Sequence, residues 1–193
     1  MMNKFLFWLS SFLPCRLIKL DSGPYLERYY VGQLFGVTFY LHRFVSSDSE
    51  RHMHNHPWGW GRALVLCGRY VETSVIDICP HANVSGALLT RRYIRWWNRV
   101  DGNHFHQISD AAPGTWTLFF HGPRLDAEGN PVTSKQGATK LKGWGFLERE
   151  RYTADGYVTV FVPYDSASNL RWWHKAPLGR DIDRVPYAAS SDT

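Results

Sequence analysis

The stretch RHMHNHPWGW, residues 51–60, carries His52, His54 and His56 at alternate positions, followed at once by a proline and two tryptophans. On an extended strand, residues two apart point to the same side, so an HxH pair can offer two imidazoles to one ion. His52 and His56 would lie roughly 13 Å apart at about 3.3 Å per residue, too far to share a metal. One of them must stand outside the site. His54 and His56 sit directly before the Pro57–Trp58 bend, where a pocket wall would begin. His52 follows the charged run SSDSER and is expected to face solvent.

A metal needs more ligands than these two. HFHQI supplies a second pair, His104 and His106, and GRYVE supplies Glu72 with Tyr70 on the same strand face. Imidazoles from two strands, with or without a carboxylate, make a mononuclear nitrogen/oxygen site that suits Fe(II), Mn, Ni, Cu or Zn. An open coordination position would take water, dioxygen or a chelating substrate. The competing reading is a metal-free cavity whose histidines form hydrogen bonds or move protons. HExxH, HxD, HxE, CxxC, GxSxG, the P-loop and GxGxxG are all absent, so the histidines are the one strong constellation.

The elements that must position these groups read as strands. The 193 residues suit one domain, with 44% hydrophobic and 20% charged residues, enough for a buried core. The 9 Trp, 10 Tyr and 11 Phe favour strands and cavity walls over long surface helices. QLFGVTFYLHRF alternates cleanly, and ALVLCGRYVETSVI, RRYIRWWNRV, HFHQI, TWTLFFH, GWGFLERE and GYVTVFVPY follow, separated by turn signals such as PHANVSG, DGN and APG. That is about eight short strands in an all-β sandwich or barrel, with little helix after residue 25. The boundaries are an N-terminal extension over 1–24, a β domain over 25–165 and a tail over 166–193.

The apolar opening, MMNKFLFWLSSFLPC, ends at Pro14 without a cleavage-like site. It is expected to dock on the domain as an amphipathic helix or strand. No apolar run reaches the roughly 18–20 residues that span a bilayer. Three cysteines without CxxC spacing point to a reducing compartment, so a cytoplasmic location is expected. A formal net charge of +5 favours anionic partners without making a nucleic-acid binder.

In RRYIRWWNR, Arg91, Tyr93, Arg95, Trp97 and Arg99 would share one face of a single strand. Arg95, Trp97 and Arg99 are candidates to bind an anionic substrate, since guanidinium groups fork carboxylates and phosphates. Stacking on single-stranded nucleic acid is a lesser reading of that face. An outer, solvated face where arginines cover aromatic rings is the plain alternative. Arg124, in FFHGPR, could hold a substrate carboxylate or pair with Glu148 or Glu150. His42 and His121 are candidates to stand behind the metal ligands as hydrogen-bond partners. His104 is a further candidate for substrate contact.

HNH at 54–56 followed by ALVLCG, ending at Gly68, resembles the first motif of the cupins, small jelly-roll barrels. The resemblance covers roughly residues 30–163. It implies that the second motif's histidine is His106, with His104 the alternative. It also implies a glutamate near position 61 or 62, where this chain has Gly61 and Arg62. Glu72 would replace it as a ligand or serve the substrate. The wider pattern YLERYY, LHRF, HNHPW, GRYVE and WTLFFHGPR followed by WGF is similar to uncharacterised cupin-like proteins of bacteria and phages.

On this resemblance the expected fold is an all-β, cupin-type jelly-roll β-barrel with a short N-terminal extension and a C-terminal tail. The expected function is that of a metal-dependent dioxygenase-like oxidoreductase acting on a small polar or anionic molecule, with Fe(II) favoured and Zn, Mn, Ni or Cu as alternatives. His54, His56 and His106 would bind the metal. Glu72 would be fourth ligand or general base, and Tyr70 would donate a hydrogen bond to dioxygen or substrate. The rivals are a non-redox isomerase or epimerase and a non-catalytic metal- or ligand-binding accessory module, of a phage particle or of a regulatory complex. A homodimer would cover exposed strand edges.

Overall fold

The computed structural model describes residues 1–47, 52–78, 87–132, 143–152, 156–163 and 171–186. Cys79, the turn expected at 80–86 and the chain beyond 186 lie outside the described residues. Among the described residues, one helix, α1 (Met2–Ser10), precedes twelve strands. These are β1 (Cys15–Leu20), β2 (Gly23–Leu34), β3 (Val37–Phe44), β4 (Met53–His54), β5 (Trp60–Cys67), β6 (Tyr70–Ile78), β7 (Ala87–Ile94), β8 (Trp97–Asp101), β9 (His106–Ala111), β10 (Thr115–His121), β11 (Gly145–Tyr152) and β12 (Gly156–Pro163). Two short 3-10 turns follow, Trp172–His174 and Gly179–Asp181.

The strands form two six-stranded sheets, in the orders β1-β2-β3-β10-β5-β8 and β12-β11-β4-β9-β6-β7. Every ladder is antiparallel. Neither sheet closes on itself, and among the described residues no ladder joins one to the other. The cupin-type jelly-roll barrel is therefore corrected to a pair of open sheets, and the cupin resemblance falls with it. The physical reason is plain. Alternation and turn spacing mark strands and their buried faces, but they carry no information on whether edge strands meet.

A second correction concerns RRYIRWWNRV. It is not one strand. The chain turns at Arg95–Trp96 and passes from β7 in one sheet to β8 in the other, anchored by Val65 N–H donating to Trp96 O at 2.7 Å. The turn breaks the alternation that put Arg91 through Arg99 on one face. Ile94, Asn98 and Val100 point inward instead, and their neighbours stay exposed.

Two cores hold the layers. Between the sheets lie Tyr25, Leu26, Phe44, Val65, Tyr70, Ile94 and Ala111. On the outer side of the first sheet, Leu6 of α1 packs with Cys15, Tyr29, Leu41 and Trp116. The opening segment thus contributes both a docked helix and a paired strand. Beneath α1, Glu27 is fully buried and accepts from Arg43 Nη1 at 3.0 Å, Tyr29 Oη at 2.6 Å and Val185 N at 3.1 Å. Arg184 donates to Phe7 O at 3.0 Å and Ser10 Oγ at 2.8 Å, tying the last described segment to the helix.

Candidate metal centre

The three histidines are placed by the second sheet and by one glycine. β4 is two residues long and is held between β11 and β9, with His54 directly opposite His106 across the ladder. The chain leaves the strand at once. Asn55 is buried, accepts from Gly145 N–H through its side chain at 2.9 Å, and donates its own N–H to Gly145 O at 3.2 Å. His56 N–H then donates to Gly102 O at 3.1 Å. A Cβ on Gly102 would lie 1.5 Å from Trp58 O, so only glycine lets the two segments meet.

His54, His56 and His106 face one another with ring centroids 5.0–5.2 Å apart. Their ligating nitrogens all lie within 4.8 Å of one another. His56 Nε2 and His106 Nε2 are 2.7 Å apart. A metal with bonds of about 2.0–2.1 Å holds its ligand nitrogens roughly 3–3.4 Å apart, so small ring rotations fit these donors to one ion. Three imidazoles with no thiolate suit Zn, Cu, Fe or Ni. The residues present form a site able to hold one divalent metal ion.

Glu72 lies behind this group rather than within it. Its Oε2 is 3.0 Å from His106 Nδ1 and accepts from Asn98 Nδ2 at 2.5 Å. Its Oε1 accepts from Arg92 Nη2 at 2.6 Å and from Ser74 Oγ at 3.3 Å. Burial pushes the carboxyl up, but the hydrogen bond and charge of His106, with Arg92 and Asn98, outweigh it and hold the group at about 2. An ionised Glu72 accepts a hydrogen bond from His106 Nδ1–H, which keeps the ring proton on Nδ1 and leaves Nε2 as a lone-pair donor toward the other histidines. Tyr70, buried in the inner core, shares a hydrogen bond with Asn98; burial and the Glu72 charge push its hydroxyl up, so it stays a neutral donor.

The other candidates separate. His104 is exposed in the turn before β9 and donates its N–H to Asp101 O at 3.1 Å; His52 is exposed as expected. Arg95, Trp97 and Arg99 are exposed on the outside, away from the cavity the histidines face. His42, His121 and Arg124 do line that cavity. His42 accepts from Arg28 Nε at 3.0 Å, and burial, with Arg28 and His121, keeps it neutral. His121 donates from Nδ1 to Gly122 O at 2.6 Å. Burial pushes its imidazole down to about 4, against that bond and with help from Arg28 and Arg124. No described carboxylate pairs with Arg124, and the side chains of Glu148 and Glu150 lie outside the described residues.

The cavity has a volume of about 1020 Å³ and lies between the sheets. Sequence reasoning missed most of its wall. Trp58 stacks on His56 at 4.1 Å and on His121 at 5.3 Å, and Trp172 stacks on Tyr40 at 6.1 Å. Trp173 lies flat on Tyr30, with ring centroids 4.2 Å apart. The HPW and RWW tryptophans were visible signals. Their stacking partners are far off in the chain and were not.

No protein-family model matches the sequence, and no curated protein is similar to it. Among solved structures, the chain is similar to FeII HppE in complex with substrate at TM-score 0.41 and 13% identity, over 56% of each chain. Hydroxypropylphosphonic acid epoxidase from S. wedmorenis matches at TM-score 0.38 and 12% identity, over 56% of this chain and 55% of that one. AerE from Microcystis aeruginosa matches at TM-score 0.35 and 16% identity, over 80% and 63%. The matched region spans little more than half the length of the first two. Likeness at this level establishes neither a shared fold nor a shared activity. No helix among the described residues is long and apolar enough to cross a membrane.

Proposed function

We propose that this chain is a metal-dependent enzyme acting on a small molecule, an oxidoreductase with iron(II) as the favoured ion. One observation carries the reading: three imidazoles from two elements converge, at the wall of a cavity of about 1020 Å³, with their ligating nitrogens within 4.8 Å of one another. His54, His56 and His106 hold the ion. Bound there, iron(II) would supply redox chemistry with dioxygen.

The chain's own groups do the rest. Glu72 fixes the tautomer and orientation of His106 through the 3.0 Å contact, and Asn98 and Arg92 fix Glu72. Tyr70 lines the cavity as a neutral hydrogen-bond donor. Trp58 and Phe119 form an apolar wall beside His56 and His121, which limits water around the ligands.

The test is reconstitution of untagged protein with Fe(II) without oxygen, followed by oxygen-uptake measurements over a panel of small organic acids and alcohols. Substrate-dependent oxygen uptake that disappears in His106→Ala supports the reading. Stoichiometric zinc in protein from cells, with no oxygen uptake by the iron form on any panel member, would overturn the redox assignment.

A further inference from the structure

The outer face of the first sheet is only partly covered. α1 lies over one end of it, against Cys15, Tyr29, Leu41 and Trp116. At the other end, strand alternation buries Ala63 and Val65 of β5 and Asn98 and Val100 of β8. The same alternation turns Trp60, Arg62 and Leu64 outward from β5, and Trp97, Arg99 and Asp101 outward from β8. The ladders set these side chains in rows. Arg99 stands opposite Arg62, Arg62 opposite Phe120, and Phe120 opposite Phe39. To one side of this row Trp97 stands opposite Leu64, and to the other Trp60 stands opposite Asp101. The turn that divides RRYIRWWNRV therefore regroups Trp97 and Arg99 with residues of three other strands.

The rings of this face are held in place and remain open. Phe120 packs against Phe39 at 5.4 Å, Trp97 at 5.9 Å and Trp60 at 6.4 Å. A Cβ on Gly122 would lie 2.6 Å from Trp60 Nε1, so the indole rests against a position that glycine leaves clear. Trp60 is still 36% exposed, Trp97 52%, and Trp96, in the turn before β8, 75%. Open aromatic surface of this kind marks a contact site. The charge beside it is positive. The Arg62 guanidinium lies 5.5 Å from the centre of the Trp60 ring, and Arg99 and Arg95 are exposed. Asp101 is the one carboxylate in β3, β5, β8 and β10, and its Oδ1 accepts from Asn103 N–H at 2.9 Å within its own turn.

We infer that this face binds single-stranded nucleic acid, with bases stacked on Trp97 and Trp60 and phosphates on Arg62 and Arg99 between them. Trp97 lies level with Leu64, four residues along β5 from Trp60. That separation is about 13 Å at about 3.3 Å per residue, with the arginine row halfway. A flexible anionic strand with unstacked bases meets rings and guanidinium groups in that order. A duplex keeps its bases stacked on one another and presents only phosphates to a flat face. A second copy of the chain, docked face to face, would bring two arginine rows together. A lipid surface supplies negative charge but no flat ring to stack. The platform lies on the reverse side of β5 and β10 from the cavity, which Ala63, Thr117, Phe119 and His121 line. It is therefore independent of the metal centre and of the chemistry proposed there.

The test measures fluorescence anisotropy of labelled oligothymidylate of about 12 nucleotides, titrated with the full chain. Saturable binding with quenching of tryptophan emission is expected, at least ten-fold tighter than for an abasic strand or a duplex of the same length. Affinity should fall with salt, and Arg99→Gln should make the log–log slope shallower by about 0.7, the share of one phosphate contact on a single strand. Trp97→Ala should weaken binding at least five-fold, whereas Trp97→Phe should keep part of it and Trp8→Ala, exposed on α1, all of it. Equal affinity for the abasic strand or the duplex, unchanged affinity in Trp97→Ala or Arg99→Gln, or no saturable binding would overturn the inference. Binding to phosphatidylserine vesicles in place of the oligonucleotide would make the face a lipid contact, and a dimer dispersed by Trp97→Ala would make it a self-contact; either result overturns the inference as well.

Discussion

Glu72→Gln separates a residue that orients a ligand from one that is a ligand. In the native chain two carboxylate oxygens receive four donors: Arg92 at 2.6 Å and Ser74 at 3.3 Å on one, Asn98 at 2.5 Å and His106 at 3.0 Å on the other. An amide of the same shape keeps one acceptor oxygen and turns an N–H2 toward the other pair. At least two of the four contacts are lost whichever way it flips. Hydrogen bonds to charged groups contribute about 1.5–3 kcal/mol each, and the Arg92 share shrinks because that side chain is half exposed. The net loss of stability is about 2–4 kcal/mol. His106 also loses its fixed tautomer, which for groups behind metal ligands typically weakens metal binding about 10–100-fold. Urea unfolding of chelator-treated protein reads the first effect, and competition against a chelator of known affinity reads the second. Metal affinity equal to wild type would refute the positioning role. A loss as large as that of His106→Ala would refute it in the other direction, by making Glu72 a ligand.

Three further outcomes follow from the same contacts. Gly102→Ala drives a methyl into Trp58 O and shifts the segment that carries His56, so stability should fall by about 3 kcal/mol, with metal affinity falling alongside, as denaturation and metal titration would show. His121 has a folded-state pKa of about 4, below the ordinary 6.5, so the unfolded chain binds the extra proton between those values. Stability is lost as pH falls through 6.5 toward 4, by about 3 kcal/mol at about 1.4 kcal/mol per pKa unit, and His121→Phe should flatten that limb in urea titrations. Glu27→Ala strands Arg43 beneath α1 and should cost about 3–5 kcal/mol by denaturation, leaving metal affinity unchanged because the network lies on the opposite face of the sheet.

The sequence disclosed the site better than the frame around it. HNH and HFH each mark a histidine pair; strand spacing requires only that one of His52 and His56 stand apart, and the Pro57–Trp58 bend points to His52. Yet β4 ends at His54, so His56 reaches the site through the Asn55–Gly145 and His56–Gly102 contacts, not through strand periodicity. His106 rather than His104 joins because it alone lies in β9, opposite His54; only the ladder register decides that. Glu72 could be recognised as important, but its place behind His106 depends on Arg92 and Asn98 from β7 and β8. The Arg95–Trp97–Arg99 face failed for a local reason, the turn at Arg95–Trp96, which no alternation pattern reveals. The barrel failed for a global one, since sheet closure is decided by edges that meet or do not. Of the arginines that line the cavity, Arg124 is marked in the sequence by FFHGPR, whereas Arg16 and Arg28 escape notice because they become neighbours only when β1 pairs with β2.

Metal content per chain is the most direct measurement of the central claim. Untagged protein and single His→Ala variants would be loaded with Fe(II) without oxygen, desalted and analysed for bound metal. One ion per chain is expected in wild type, His52→Ala and His104→Ala, with loss of the stoichiometric ion in His54→Ala, His56→Ala and His106→Ala. Full metal retention in His106→Ala, or equal loss in His52→Ala or His104→Ala, would contradict a site built from His54, His56 and His106.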